Sequence, residues 1–514
     1  MNEGWGRRQQ VAIAVACALA AIGLWVNGSE DVWSLAYILV AVAAAGSVAW
    51  LVPSKPAAAF GILFLVATLS RWSISTPFGN MRLEQPAILA GYAALLLAPS
   101  RRDLPGLRRL WPIGASFALY LACLAASSVL FAPDRADSLR ITFWTGLSMS
   151  GGLLAFLLLA MANAQATGWI RLSGLVQALA GIAFALLFFT LGPVLVTGPT
   201  AAPGVQDALS SLPRVFALSW EANLYASLLA ALIPFGIDRL LTRGRTSDKV
   251  LVVTMAVGLA LGETRGAYLG LAAGVAVYVL LAFAPRRRWA TLDIPRVGIR
   301  AAVVVASLAG GLLVAGVLMQ GGRPPTKPLD FTLAGWGRGL FASATGQPEP
   351  SPGASGTTAT PSPSPSPTPT PTYTVAPPPD TVGFRLDRVA PALADLPHSP
   401  LIGLGANSFG QRHPDPSQPG QPDHIAILAL AALYESGALG AAGLAIGFGL
   451  VLLTLLRAAR HRADRGAIAA YAGALACLLV AYQATNALNF SLIWLIAGAG
   501  LAAAYEPLDR SLTE

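Results

Sequence analysis

The side chains that could do chemistry are concentrated in residues 385–440, a polar stretch between long apolar runs. It holds three of the four histidines of the chain, His398, His413 and His424. It ends in a short apolar segment that carries Tyr434 and Glu435. Imidazole and carboxylate groups can accept a proton from an attacking hydroxyl, so this stretch could hold a general base.

His424 and Glu435 are the leading candidates for that base. They lie eleven residues apart, which places them on one face of a continuous helix but about 16 Å from each other along it. Both could act on one atom only if the segment breaks, so we expect at most one proton acceptor. His413 and His398 are looser alternatives, and His398, which precedes a Ser-Pro pair, is expected to be structural.

Two arginines could bind an anion. Arg265 lies in the short turn GETRG, and a guanidinium group binds phosphate oxygens through two parallel hydrogen bonds while staying charged. The ordinary alternative is an interface arginine that snorkels to lipid headgroups. Arg214 precedes an apolar run that begins near Asn223, and this pattern alone is typical of a loop arginine followed by a helix-capping asparagine.

The composition predicts a membrane protein. Hydrophobic residues make up 55% of the 514 residues and charged residues only 11%, whereas soluble domains carry roughly 25% charged residues. The mean hydropathy is +0.61. A large soluble helical protein is excluded because apolar runs near the ~20 residues that span a bilayer recur along the whole chain.

These runs predict an all-α integral membrane fold, a polytopic bundle of about 12–14 transmembrane helices with one long extracytoplasmic loop. The first run follows Arg7 and Arg8 and is interpreted as a transmembrane helix, since no clear signal-cleavage site follows it. The predicted spans lie near 11–27, 33–52, 57–70, 86–98, 111–131, 141–163, 172–197, 222–238, 250–262, 267–284, 301–319, 438–456, 467–484 and 488–505. The runs at 57–70, 86–98 and 250–262 are short for a span.

The basic residues indicate the orientation of the chain. Half of them lie in four short loops between apolar runs, around 101–109, 239–249, 286–300 and 457–465. With 14 spans and a cytoplasmic N-terminus, all four loops fall inside, as the positive-inside rule requires. Both termini are then cytoplasmic and residues 320–437 extracytoplasmic. The net charge of +9 is therefore explained by topology, and we expect no nucleic-acid partner.

The chain divides into four predicted parts. Residues 1–200 form the N-terminal transmembrane helices, and residues 201–319 form core transmembrane helices that carry the arginine motifs. Residues 320–437 form the outer loop, in which 347–380 is a Pro/Ser/Thr-rich tether with too little apolar surface to fold and 383–437 is ordered. Residues 438–514 form the C-terminal helices.

Several kinds of chemistry lack a motif in this sequence. There is no phosphate-binding glycine loop of the nucleotide-hydrolase type, no dinucleotide-binding glycine pattern and no cluster of metal ligands. Cys17, Cys123 and Cys477 all lie in apolar runs and are interpreted as small core residues. We therefore expect no cofactor and no metal, so that the energy for any transfer must come with the substrate.

Three segments together carry a resemblance to a known family. They are RVFALSWEAN leading into a span, ETRGAYLGLAAG, and HSPLIGLGANSFG followed by a histidine-led segment and ESGALG at 435–440. Their order, spacing and predicted outer placement resemble the family of O-antigen ligases and O-antigen polymerases, which are integral membrane glycosyltransferases. The resemblance covers about 205–460.

The resemblance implies a membrane glycosyltransferase of the bacterial cytoplasmic membrane. It would transfer a glycan from a polyprenyl-diphosphate lipid to an acceptor glycan or another surface molecule, by an inverting and metal-independent reaction. Arginines would neutralise the charge on the leaving diphosphate. By the motif match, Arg265 and Arg214 would bind the diphosphate, with Arg385 or Arg388 assisting.

His424, by the same match, would place or deprotonate the acceptor hydroxyl. The sequence departs from the family pattern after it, where Ile425 replaces a small polar amide, and His424 lies further than usual from the glutamate. Glu435 is therefore the alternative base. Asn223 and Tyr434 are expected to contact other parts of the substrate.

Other functions remain open on the sequence. Ligase and polymerase cannot be separated by these motifs. A peptidoglycan-type polymerase would also use a lipid-diphosphate donor, and a carboxylate in place of the histidine would favour it. A transporter or flippase of lipid-linked glycans predicts charges buried in the middle of spans and internal repeats. No repeat is visible, and the polar residues collect at one predicted face.

Overall fold

The computed structural model describes residues 32–70, 73–76, 79–97, 107–191, 215, 217–219, 221–262, 264–283, 302–306, 308–311, 314, 385–414, 424–461 and 465–505. The predicted first span, 11–27, and the predicted tether, 347–380, lie outside these residues. So does Arg214.

The described part of the chain is built almost wholly from helices, which confirms the all-α polytopic fold. In chain order they are α1 Val32–Leu51, α2 Pro56–Thr68, α3 Glu84–Leu97, α4 Leu107–Leu130, α5 Arg135–Ala162, α6 Thr167–Leu191, α7 Ala222–Arg243, α8 Thr246–Leu261, α9 Arg265–Ala282, α10 Val389–Asp395, α11 Ser408–Arg412, α12 Leu428–His461, α13 Arg465–Ala481 and α14 Leu492–Tyr505, with a 3₁₀ turn at Leu396–His398. A short antiparallel hairpin, β1 Ser73–Thr76 and β2 Gly79–Arg82, precedes α3, with Ser73 opposite Arg82.

Six of the described helices are long and apolar enough to cross a membrane. They are α4, α5, α6, α7, α9 and α12. Shorter apolar helices, with 10–17 residues, include α2, α13 and α14. Of these, α2 corresponds to the short run predicted at 57–70, whereas α13 and α14 are shorter than the runs predicted at 467–484 and 488–505.

The α7 helix lies at the centre of the bundle. All of its residues from 224 to 237 are buried, as expected for a helix that is apolar on every side. Since α7 begins at Ala222, the predicted site residue Asn223 lies in its first turn, at one end of this central helix.

Small residues allow α9 to pack closely on α13. Gly266, Gly270 and Gly274 recur every fourth residue and so share one face of α9. A Cβ added at Gly270 would lie 2.6 Å from the carbonyl oxygen of Cys477, and one added at Gly274 would lie 2.6 Å from that of Gly473. This backbone-to-backbone contact is typical of helix pairs in membranes, and it fixes the helix that begins with Arg265.

The segment from His424 to Glu435 does not form one continuous helix. Residues 424–427 are not helical, and α12 begins at Leu428. The helix is then interrupted at Gly437, where φ is 67° and ψ is −176°. The helix breaks here because the loop that precedes α11 crosses it and takes over its hydrogen bonds.

Candidate functional site

A loop crosses α12 at the interruption and replaces the hydrogen bonds that the helix loses there. We call residues 399–405 the bridging loop. In a continuous helix the amides of Ala438 and Leu439 would donate to the carbonyls of residues 434 and 435. The loop supplies substitutes for both donors and both acceptors, since Ala438 donates to Pro400 (2.9 Å), Leu439 to Leu401 (3.0 Å), Leu404 to Tyr434 (2.8 Å) and Gly405 to Glu435 (3.0 Å). These two donors and two acceptors of the helix are therefore satisfied, as a buried crossing requires.

Glu435 lies at this crossing. Its backbone carbonyl also accepts a hydrogen bond from the Ser127 hydroxyl of α4 (2.7 Å). Its carboxylate accepts one from the backbone N–H of Asn407 (3.2 Å), a residue held at a φ of 55°. Glu435 is thus fixed both by its peptide group and by its side chain.

The segment around α11 is anchored to the start of α5. The side-chain amides of Asn407 and Gln411 both donate to the carboxylate of Asp137, at 3.0 and 3.2 Å. Asp134, which caps α5, donates its backbone N–H to Gln411 (2.9 Å). The polar segment therefore has a defined position on the helical bundle.

Asp395 joins two of the polar residues that the sequence singled out. Its Oδ2 lies 2.8 Å from Nε2 of His413 and accepts a hydrogen bond from the Tyr434 hydroxyl at 2.7 Å. Burial opposes ionisation of Asp395, but these two bonds and the charges of His413 and Arg412 outweigh it and lower its pKa. Tyr434 is itself fully buried and packs edge-on against Phe409.

Sequence reasoning missed Asp395. It is one of several carboxylates in a polar loop, and its two partners lie 18 and 39 residues further along the chain. His398, by contrast, is exposed, and its Nδ1 lies 2.9 Å from the backbone carbonyl oxygen of Asp395; its structural role stays a prediction.

Arg265 is the first residue of α9, and its side chain is exposed. The preceding residue, Thr264, occupies the N-cap position without a capping hydrogen bond from its side chain, and its hydroxyl lies 2.9 Å from the carbonyl oxygen of Gly262 and 3.3 Å from Oδ1 of Asn223. The structure therefore brings Arg265 and Asn223 to the same end of the bundle. The partial positive charge at the start of α9 adds to that of the guanidinium group.

A turn between α13 and α14 connects this end of α9 with the segment that precedes Glu435. We call residues 482–491 the connecting turn. Gln483 accepts a hydrogen bond from the N–H of Ala429 in the first turn of α12 (3.2 Å), and Ala484 lies against Gly266. Thr485 donates to the carboxylate of Glu221 (3.2 Å), just before α7.

The connecting turn also escaped the sequence reasoning. Its only signal is a few polar residues, Gln483, Thr485 and Asn486, between two apolar runs. Such residues are common in short connections, and their contacts depend on how the flanking helices pack.

A buried ion pair holds the other end of the connecting turn. Nε of Arg82 lies 2.8 Å from the carboxylate of Glu84, and both residues are almost fully buried. Arg82 also donates to the backbone carbonyl of Asn489 and lies 4.3 Å from the centre of the Phe490 ring. The Ser148 hydroxyl donates to the same carbonyl (2.7 Å).

The remaining predicted residues are placed as follows. Arg385 and Arg388 lie in a helical turn directly before α10 and are partly buried. His424 is exposed at the start of the non-helical residues that lead into α12. Among the described residues, no three His, Cys, Asp or Glu side chains come close enough to hold a metal ion.

Comparison with known proteins agrees with the motifs. Residues 250–445 match the family model described as O-antigen ligase. No curated protein matches the chain. The matched region contains Arg265, His424 and Glu435, together with the first turn of α12. The similarity to the O-antigen ligase family therefore covers residues 250–445 of this multi-pass membrane protein.

Proposed function

We propose that the protein transfers a glycan from a polyprenyl-diphosphate donor to an acceptor glycan or another surface molecule, at the outer face of the bacterial cytoplasmic membrane. One observation carries the proposal beyond the family match. The connecting turn contacts both Gly266, next to Arg265, and Ala429, in the helix that leads to Glu435. The arginine motif and the histidine–glutamate motif, far apart in sequence, therefore lie at one end of the bundle.

Arg265 is the proposed binding group for the donor diphosphate, together with Arg214. An exposed guanidinium group at a helix N-terminus suits a diphosphate, because the charge and the helix dipole both favour an anion there. Charge grows on the diphosphate as its bond to the sugar breaks, so the arginines stabilise the transition state more than the ground state. Arg385 and Arg388 assist from the outer loop.

The acceptor side of the proposed site is formed by the segment from His424 to Glu435. His424 places the acceptor hydroxyl or takes its proton, and Glu435 is the alternative base. Asn223 contacts another part of the substrate, close to Arg265. Tyr434 is buried, with its hydroxyl bonded to Asp395, so its effect on the substrate is exerted through Asp395.

The proposed reaction is a single displacement. The acceptor oxygen bonds to the anomeric carbon on the side opposite the diphosphate, the carbon–oxygen bond to the diphosphate breaks, and the configuration is inverted. The sugar–diphosphate bond supplies the energy, so neither nucleotide nor metal is consumed. The orientation, with both termini cytoplasmic and residues 320–437 outside, rests on the positive-inside rule.

The test is transfer of a labelled glycan from a polyprenyl-diphosphate donor in liposomes that contain the purified protein, with a chelator and without nucleotide. Donors carrying a peptidoglycan-type disaccharide are tested in parallel, because their use would favour the peptidoglycan-type alternative. Product length separates a polymerase, whose product grows, from a ligase. Movement of the labelled lipid between leaflets without any transfer would contradict the proposal and favour a flippase.

A further inference from the structure

We infer that His413, held by Asp395, is the general base that accepts the proton of the acceptor hydroxyl. The inference rests on the proposed function and names a residue for the proton transfer that it requires. Two observations support it. The His413 imidazole is hydrogen-bonded to the ionised carboxylate of Asp395, and it lies on the exposed side of that pair.

The hydrogen bond to Asp395 determines which ring nitrogen of His413 can act. An ionised carboxylate can only accept, so Nε2, 2.8 Å from Oδ2 of Asp395, must carry the proton. Nδ1 then keeps its lone pair and is the basic atom. Within the part of the chain that the structure describes, Nδ1 has no hydrogen-bond partner. The side chain of His413 is 35% exposed and that of Asp395 only 18%, so the imidazole is the outer member of the pair.

The pair is held rigidly. Oδ2 of Asp395 also accepts the hydroxyl proton of the buried Tyr434 (2.7 Å), which fixes the carboxylate from the α12 side. The His413 ring lies 4.9 Å from that of Phe409, and its backbone N–H donates to the carbonyl of Phe409 (2.8 Å). Arg412 donates to the carbonyl of Phe131 (2.7 Å). Such support is what a general base needs to stay in the reactive geometry.

The other two candidates for the base have different surroundings. Glu435 lies in the crossing of the bridging loop with α12, and its carboxylate accepts the N–H of Asn407. Its carbonyl accepts two more hydrogen bonds, from Gly405 and Ser127. Glu435 therefore holds the crossing together. His424 lies on the exposed, non-helical residues 424–427, which suits contact with the acceptor.

The proton transfer balances. As the acceptor oxygen bonds to the anomeric carbon, its proton passes to Nδ1 of His413, and the electron pair of the broken bond leaves on the lipid diphosphate. The resulting imidazolium is paired with the Asp395 carboxylate, which lowers its energy. The proton is returned to water after the products leave.

The pH dependence of the reaction should report this group. The charged and titratable groups around it are Asp395 on α10, Tyr434 on α12 and Arg412 on α11, with Glu435 next to Tyr434. An imidazole must be unprotonated to accept a proton from the acceptor hydroxyl, so kcat should fall in acid if His413 is the base.

The experiment measures kcat against pH for the full-length protein in liposomes, with and without added imidazole. We expect His413→Ala to lower kcat about 10²- to 10⁴-fold. The fall of kcat at low pH, the acid limb of the profile, should disappear in this variant. Added imidazole should restore part of kcat, because it can occupy the space that the side chain leaves. The KM for the lipid donor should change little. Asp395→Asn should also lower kcat, because an amide cannot hold the same tautomer, but imidazole should not restore it.

His398→Ala is the matched control, since it removes an exposed histidine from the same segment. A His413→Ala variant that is as fast as wild type would overturn the inference. So would a slow variant that keeps the acid limb and does not respond to imidazole, because that result shows a structural role. If the wild type transfers no glycan from any donor, the proposed function fails first and the inference fails with it.

Discussion

Gly403 and Gly437 cross at the candidate site with their backbones in direct contact, so that a Cβ on either glycine would collide with the amide nitrogen of the other. Both have positive φ values, 83° and 67°. The sequence motifs around them, GLG at 403–405 and ESG at 435–437, are therefore two halves of one structural feature.

Replacing Gly437 by alanine should disrupt this crossing. The φ of 67° with a ψ of −176° costs a residue with a side chain about 1–3 kcal/mol, and the collision with the bridging loop adds to that cost. Gly437→Ala should therefore lower the thermal unfolding temperature in detergent and abolish glycan transfer.

Gly449→Ala in the same helix is the control, because an added Cβ there would meet nothing within 4 Å. It should unfold at or above the wild-type temperature, since alanine favours a helix over glycine. Equal unfolding temperatures for the two variants would show that the crossing does not constrain the fold.

Arg265 should be required for use of the donor. Removal of one group that stabilises transition-state charge typically lowers the rate about 10²- to 10³-fold, and we expect Arg265→Ala to lower kcat/KM by that amount. Arg265→Lys should recover only part of the activity, because an ammonium group lacks the planar pair of donors. The measurement is the initial rate of transfer over a range of donor concentrations.

Arg457→Ala is the matched control for that series. Arg457 is also an exposed arginine, but it lies near the C-terminal end of α12, in the stretch 457–465 that is predicted to be cytoplasmic. Its loss should leave kcat/KM near the wild-type value. If both variants lose activity to the same degree, the effect comes from general charge or insertion, and Arg265 has no specific role in binding the donor.

Much of the fold could be predicted because the bilayer makes span length and apolar composition decisive. The run at 141–163 corresponds to α5, and the run at 267–284 corresponds to α9. Arg265 also stands out in the sequence, as a charged residue in a short turn between two apolar runs, but its role stays a prediction.

The contacts of the site could not be predicted in the same way. His413 meets Asp395 because α10 and α11 fold over the Phe409–Tyr434 cluster, and no periodicity in the sequence encodes that path. Gln483 meets Ala429 only after α12 and α13 have packed. The non-helical start at His424 has the same origin, because the chain enters α12 from a loop whose course is set by tertiary contacts.

The buried pair of Arg82 and Glu84 should be important for stability. Removing one member of a buried pair leaves the other charge uncompensated and lowers the free energy of unfolding by about 3–5 kcal/mol. We expect a loss of about that size for Arg82→Met, with a matching loss of glycan transfer, because Arg82 also holds the connecting turn through Asn489. The measurement is chemical or thermal unfolding in detergent.

Arg140→Ala is the control, since Arg140 forms an exposed pair with Asp137. Exposed pairs contribute about 0–1 kcal/mol. The double variant Arg82→Met with Glu84→Leu should regain much of the lost stability, because it leaves no charge unpaired. A double variant less stable than either single variant would show that the pair itself, and not the isolated charge, determines stability.

The contact of α10 with α12 should weaken in acid. The pKa of Asp395 is lower in the folded protein than its ordinary value, so its ionised form stabilises the fold. That stabilisation is fully present above the ordinary Asp value of about 3.9, and it is lost as the pH falls from there through the lowered folded value. Protonated Asp395 can no longer accept from both Tyr434 and His413 as a carboxylate.

Limited proteolysis or hydrogen exchange of residues 389–414, followed from pH 6 to pH 2, measures this loss. Asp395→Asn provides the comparison, since an amide does not titrate: its segment should be less protected than wild type near neutral pH, and the two should converge in acid as the carboxylate becomes neutral. A difference between them that stays constant across the whole range would mean that the charge of Asp395 does not stabilise the segment, and that the hydrogen bonds from Tyr434 and His413 persist without it.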